Sequence, residues 1–190
     1  MATVVLAGYL LGSIPFALLM ARRWSATDLR RVGSGNLGAA NVMRASGVRA
    51  GILVALLDML KGALSVLLAE RLSPSAAAPA VAGFAAIVGH IYPVWLRFHG
   101  GKGVAVAAGV FAVLTPIATA IAMTLFLVIV SATRYVSLGS VAATLALPPA
   151  AWLTGAPGVV VAASAGTAAL ILFRHRANLS RLTHGTERRL

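Results

Sequence analysis

The sequence predicts an all-α integral membrane protein of seven short transmembrane helices, N-terminus outside and C-terminus cytoplasmic. Three observations predict it. Hydrophobic residues make up 59% of the chain and charged residues only 11%, with a mean hydropathy of +0.92. A soluble domain is about half apolar and a quarter charged. The apolar runs approach the ~20 residues that a helix needs to cross a hydrocarbon core of about 30 Å. The basic residues cluster in alternate gaps between those runs. One membrane domain over residues 1–190 fits this length, with no room for a soluble one.

The elements follow in order. Residues 3–20 read as a retained first span, because Arg22 and Arg23 come after the apolar run, whereas a secretory leader is charged before it. Further spans are predicted at about 51–70, 80–96, 103–114, 117–133, 136–153 and 157–173. Residues 103–133 form one uncharged run of 31. As a single helix it would reach roughly 46 Å at ~1.5 Å per residue, too long for the core, and Thr115-Pro116 offers a break. Parity supports two spans there. The inside segments then hold Arg22, Arg23, Arg30, Arg31, Arg44, Arg49, Arg97, Lys102, Arg134, Arg174, Arg176, Arg181, Arg188 and Arg189, which leaves only Arg71 outside and Lys61 within a span. One span there would export Arg134 and the basic C-terminal segment, against the orientation rule.

A net charge of +12 first suggests nucleic acid, but the positive-inside bias accounts for it. The aromatic residues Trp24, Tyr92, Trp95, Tyr135 and Trp152 sit at span ends as interfacial belts, so no basic-aromatic face is left for stacking bases. The chain has no cysteine, which excludes disulfides, thiolate metal sites and acyl-thioester enzyme intermediates.

Three glycine-and-base segments share the inner side. In the first loop, Gly33, Gly35 and Gly38 satisfy G-x-G-x-x-G. A dinucleotide fingerprint also needs a preceding strand and an acid about 20 positions on; here Asp28-Leu29-Arg30-Arg31 precedes, and the next acid, Asp58, lies in a span. The physics of the loop remains: glycines let backbone N–H groups converge on an anion, Ser34, Asn36 and Asn41 add neutral donors, and Arg44 adds a planar fork suited to phosphate. In the second loop, Gly100-Gly101-Lys102-Gly103 is not a Walker A sequence, because Leu96 and Gly103 stand where glycine and Ser or Thr are required. A helix starting near Gly103 still directs unpaired N–H groups at an anion, and Lys102 adds a full charge. After the last span, a helical turn puts His175, Asn178 and Arg181 on one face. That histidine can act as a general base or a phosphate donor; the plainer reading is a basic segment on anionic headgroups. Arg134 to Ser140 forms a fourth inner loop. Asp58 and Lys61, at i and i+3, are expected to neutralise each other inside the second span.

Several chemistries are excluded. No His-x4-Asp occurs, since Trp95, Val104 and Ser180 lie five residues beyond His90, His99 and His175. Asp28 and Asp58 are the only aspartates, too few for an aspartate-rich metal site. Val32 before Gly33 rules out a Gly-x-Ser-x-Gly elbow. No metal is expected.

These motifs resemble those of the bacterial membrane acyl-phosphate:glycerol-3-phosphate acyltransferases, the PlsY family. The resemblance runs from Gly12-Ser13-Ile14-Pro15 to Gly185-Thr186-Glu187. It is most specific at Gly33–Arg44, from Gly89-His90 through Pro93 to Gly103-Val104-Ala105, and at Arg174–Glu187. Asp58-x-x-Lys61-Gly62 and Arg134-Tyr135-x-Ser137-Leu138-Gly139-Ser140 support it.

The resemblance implies transfer of a fatty acyl group from acyl phosphate, not acyl-CoA, to the 1-hydroxyl of glycerol 3-phosphate. The products would be 1-acyl-glycerol 3-phosphate and inorganic phosphate, in the first acylation of phospholipid synthesis. It implies seven spans in the bacterial cytoplasmic membrane and a site on the cytoplasmic face. Ser34, Lys102, His175 and Asn178 are the expected catalytic residues. Gly33, Gly35, Asn36, Gly38, Asn41, Arg44, Gly100, Gly101, Gly103, Ser140, Arg181 and Glu187 are expected to bind substrate. Glycerol 3-phosphate falls to Ser34, Arg44, Lys102 and His175; Asn178, with amides near Gly38 and Ser140, takes the departing phosphate or the carbonyl oxygen. The base is His175 or the substrate's own phosphate. The expected partners are the two substrates and the lipid bilayer, with no cofactor, no nucleic acid and no obligate protein partner.

The chain departs from the family pattern at Ala40 and Val106, where threonine is usual, and at His99, where lysine is usual. At position 40 a backbone N–H is left to serve where a hydroxyl is lost. The competing class is a carrier or exchanger of phosphate esters, which calls for a midplane site between repeated halves; the chain has no such repeat, and its polar groups gather at one face. A purely structural membrane subunit is the third class, in which replacing Lys102 would change nothing.

Overall fold

Pro15 interrupts the first apolar run and decides how the N-terminal helices are arranged. A computed structural model describes residues 1–24, 29, 31, 32 and 35–190, with the side chains of 22–24 excluded. Every regular element among the described residues is helical. They fall into two compact units, Met1–Val110 and Phe111–Leu190.

The first unit holds α1 (Ala2–Gly12), α2 (Phe16–Trp24), α3 (Ala39–Ser46), α4 (Val48–Leu72), α5 (Ala78–Ile91), a short 3-10 turn at Val94–Leu96, and the start of α6 (Val104–Leu114). The expected span 3–20 is therefore two helices. Proline has no N–H to continue the ladder, so the chain turns at Ser13–Pro15. The Ser13 hydroxyl donates to Tyr9 O at 2.8 Å and to Gly89 O at 3.3 Å.

In lipid there is no hydrophobic force between helices, and small residues that let backbones approach drive packing instead. Gly8 and Gly12 on α1 face Ala82 and Ala86 on α5, and a Cβ on either glycine would overlap the facing carbonyl. Gly89 meets the Tyr9 carbonyl in the same way. Gly62 on α4 lies against the Val106 carbonyl, and Gly109 on α6 against that of Met59. Gly47, at φ +89°, makes the left-handed link from α3 to α4. Leu53, Leu56, Leu60, Leu64 and Leu67 form an exposed stripe on α4 at helical spacing, the outward face in a bilayer.

The second unit contains α7 (Pro116–Thr133), α8 (Val136–Leu153) and α9 (Gly158–Thr183), with α7 on α8 and α8 on α9. Pro116 sits in the first turn of α7 with Thr115 as its cap, so the break foreseen at Thr115-Pro116 is present. Among the described residues, six helical segments are long and apolar enough to cross a membrane, whereas α6 has 11 residues. α8 carries Pro148 and Pro149 within its length. α9 continues well past residue 173, to Thr183, and so carries His175, Asn178 and Arg181 on a continuous helix.

Candidate functional site

The glycine-rich loop before α6 is docked on the end of α5. Arg97 and Phe98 both have positive φ, 51° and 62°, a conformation costing an L-residue roughly 1–2 kcal/mol. Gly100 N–H then donates to Ile91 O at 3.0 Å and Gly101 N–H to His90 O at 3.1 Å. These two amides, expected to face an anion, are thus committed to α5. The glycines are needed for a different reason, since a Cβ at 100 would overlap the His90 carbonyl and one at 101 the His90 ring. Gly103 has φ +90°, which starts α6 just after the half-buried Lys102.

Beneath this loop, Asp58 Oδ1 and Lys61 Nζ are 2.8 Å apart and 2–3% exposed, the buried pair expected from their spacing. His90, which sequence reasoning did not single out by role, joins them, with Nδ1 3.1 Å from Lys61 Nζ. Its position near the end of a span, beside Gly89, was the available signal. Lys61 also donates to Ile14 O at 2.8 Å. A cavity of about 10 Å3 here is lined by residues that include Leu37 of the first loop and Gly100 and Gly101 of the second, so the two loops meet at one end of this unit.

Of the first loop, Gly33 and Ser34 lie outside the described residues. Gly35 has φ +67° and Asn36 is half-buried. Gly38 caps α3, whose first turn offers the N–H groups of Ala39 and Ala40, without intrahelical acceptors. Asn41 is 2% exposed, and its Nδ2 donates to Leu29 O at 3.0 Å and Val32 O at 3.1 Å. That amide holds the loop closed on α3. Arg44 lies one turn on, with Nη1 3.5 Å from Ala40 O.

In the second unit, His175 is 2% exposed, and Nδ1 lies 2.8 Å from Ile171 O. A carbonyl only accepts, so Nδ1 carries a proton, and in the neutral form of the ring the lone pair is on Nε2. Asn178 Nδ2 donates to Glu187 Oε1 at 2.6 Å, and Arg181 Nε to Oε2 at 2.7 Å. Burial pushes the Glu187 carboxyl up, but hydrogen bonds from Asn178, Arg181 and Ser137, with the Arg181 charge, outweigh it and hold the pKa below the usual 4.5. Asn178, Arg181 and Glu187 are therefore one cluster. Residues 184–190 return across the start of α8: Leu190 N–H donates to Arg134 O at 2.9 Å, and Arg189 Nε to Tyr135 Oη at 3.1 Å. Ser140, assigned to a loop from the sequence, lies inside α8, and its hydroxyl donates to Val136 O at 2.8 Å.

Comparisons with known proteins identify the family. The family model described as Glycerol-3-phosphate acyltransferase matches residues 2–185. A glycerol-3-phosphate acyltransferase of Myxococcus xanthus is 48% identical over 99% of this chain and 98% of its own. One of Syntrophotalea carbinolica is 44% identical over 98% and 95%. Among solved structures, PlsY (YgiH), an integral membrane glycerol 3-phosphate acyltransferase crystallised in its glycerol 3-phosphate form, superposes with a TM-score of 0.94 at 40% identity, covering all of this chain and 94% of that one. Its lysophosphatidic acid form gives 0.92 at 39%. With a family match over almost its whole length and helical spans to suit, this chain is an integral membrane protein of the glycerol-3-phosphate acyltransferase family.

Proposed function

We propose that this chain transfers a fatty acyl group from a long-chain acyl phosphate to the 1-hydroxyl of glycerol 3-phosphate, giving 1-acyl-glycerol 3-phosphate and inorganic phosphate. The observation that carries the reading is the solved relative, known in one form with the acceptor and in another with the acylated product. The donor is chosen on chemistry. An acyl phosphate is already an activated mixed anhydride, so positioning and charge management suffice. That matches a chain rich in Arg and glycine, without cysteine and without a His-x4-Asp dyad.

In the proposed step the 1-hydroxyl oxygen attacks the acyl carbonyl carbon. The new ester C–O bond forms as the acyl C–O bond to phosphate breaks, and phosphate leaves with that electron pair. The hydroxyl proton passes to His175 Nε2 or to a phosphate oxygen of the substrate. Ser34, Arg44, Lys102 and His175 act on glycerol 3-phosphate. Asn178 and the amides near Gly38 act on the departing phosphate or the carbonyl oxygen. Asn41, Gly100, Gly101, Arg181 and Glu187 serve the site by shaping it, through the internal hydrogen bonds already described.

The proposed setting is the bacterial cytoplasmic membrane, with one domain over 1–190, seven crossings, α6 counted as one, and the reaction at the cytoplasmic face. Charge parity supports it: with seven crossings all but two of the 16 basic residues fall inside. The test is purified protein with glycerol 3-phosphate and either acyl phosphate or acyl-CoA. The expected result is orthophosphate release and ester formation from acyl phosphate alone. Equal ester formation from acyl-CoA overturns the donor assignment.

A further inference from the structure

We infer that Lys61 is a positioning residue for the reaction, acting through His90 to fix the Gly100–Gly101 segment and hence Lys102. The inference rests on the proposed assignment of Lys102 to glycerol 3-phosphate and names what holds that lysine in place.

The argument starts from the ammonium. A lysine has three N–H bonds to give and no lone pair to accept with. Lys61 Nζ donates to Ile14 O at 2.8 Å, meets His90 Nδ1 at 3.1 Å, and is ion-paired with Asp58 Oδ1 at 2.8 Å. These three partners surround a side chain only 3% exposed. Each partner comes from a different element: α4 itself, the break between α1 and α2, and the end of α5.

The contact with His90 has a chemical consequence. Since Nζ only donates, Nδ1 must accept, and the ring proton sits on Nε2. That edge of the ring faces Gly101, where a built Cβ would overlap Nε2 and crowd Cε1 and Cδ2. The backbone of the same histidine accepts from Gly101 N–H at 3.1 Å. The ring and carbonyl of His90 together form the floor on which Gly101 rests, one residue before Lys102. If His90 rotates, the floor moves and the lysine moves with it.

A buried ion pair is weak evidence for stability, because apolar residues of similar volume often replace it at no loss. A charged residue within a membrane span usually marks function. The Asp58–Lys61 pair stands beside a cavity of about 10 Å3 whose lining includes Leu37, Gly100 and Gly101, at the meeting point of the two loops. A pair needed only to neutralise itself could stand anywhere along α4.

The test separates positioning from packing. Lys61→Met alone leaves Asp58 buried and unpaired and can fail to fold, so the informative variant is the double Asp58→Asn/Lys61→Met. The expected result is a detergent-purified protein melting near the parent, with KM for glycerol 3-phosphate raised about tenfold or more and kcat within about threefold. A folded double variant with the parent's KM overturns the inference. A second pair decides independently, including where the double variant does not fold. His90→Phe keeps a ring beneath Gly101 but loses the acceptor for Lys61, and His90→Asn keeps that acceptor but loses the ring; each is expected to raise KM about tenfold or more with kcat within about threefold. A folded variant of either kind with the parent's KM overturns the inference. Lys102→Ala, run alongside, keeps the two readings apart. If it raises KM while the Lys61 and His90 variants do not, only this inference fails; if it leaves KM unchanged, the Lys102 assignment fails and takes the inference with it.

Discussion

Glu187 closes back on Asn178, with Oε1 2.6 Å from the amide nitrogen and Oε2 2.7 Å from Arg181 Nε. The carboxylate arrives because Gly185, at φ +68°, turns the chain after α9 and Thr186 N–H donates to Arg181 O at 2.9 Å. Asn178 is thereby held in one rotamer, and its orientation depends on a residue outside the helix.

Glu187→Gln keeps an acceptor but loses the charge facing Arg181. Because the folded pKa of Glu187 lies below its ordinary 4.5, its stabilisation is fully present above about that pH and is lost as pH falls through the folded value. The parent should therefore melt above the variant at pH 7, with the gap narrowing below pH 4.5. Thermal melts in detergent across pH 3–8 check this; a gap that widens on acidification contradicts it.

Lys102→Ala should raise KM for glycerol 3-phosphate roughly 10- to 100-fold, the scale of one charged hydrogen bond at ~1.5–3 kcal/mol. KM for acyl phosphate should change much less. Initial-rate kinetics with each substrate varied in turn give the comparison.

His175→Ala, assayed with both substrates saturating, identifies the proton acceptor. General-base catalysis by a positioned side chain contributes ~10²–10⁴-fold, so a fall of that size assigns the proton to Nε2. A rate within about tenfold of the parent assigns it to the substrate's own phosphate.

Gly12→Val should destabilise the first unit, because its Cβ would overlap the Ala86 carbonyl and overpacking costs about 1–3 kcal/mol. Gly158→Ala, where a Cβ meets nothing within 4 Å, is the control. Melting temperatures of the two should separate, with only the first lowered.

The absence of native cysteine makes orientation directly measurable. Cysteines placed at the exposed positions His99 and His184 should react with an impermeant maleimide only in inside-out vesicles, and one at Ala76 only in the opposite orientation. Labelling of 99 and 184 from different sides would remove the basis for the proposed topology.

Much of the helical plan was legible because hydropathy reports length and proline reports breaks. Residues 117–133 and 136–153 became α7 and α8 with at most one residue of difference, and Thr115-Pro116 divides the long run where predicted. The break at Pro15 was missed because the residues around it, Ser13 apart, are apolar, and a hydropathy window does not register a missing N–H. The buried Asp58–Lys61 pair followed from i, i+3 spacing, but His90 is distant in sequence and only packing brings it there. For Gly100 and Gly101, composition pointed to N–H groups gathered at a glycine-rich segment. It does not say whether the N–H groups turn toward a ligand or toward the chain, and here they turn toward α5. Ser140 fell both in the segment read as a loop from Arg134 and in the span expected at 136–153, and only the second reading stands, because the helix begins at Val136.

The carbonyl of Ile14, where α1 stops, accepts locally from Phe16 N–H at 3.1 Å and takes a second donor from 47 residues further along, Lys61 Nζ at 2.8 Å. A nascent chain that delivers its first helix to the bilayer must leave that oxygen without the lysine until α4 has been made and inserted. The bend between α1 and α2 can therefore close on its own local bond at first, and it gains its second, charged donor only late in synthesis.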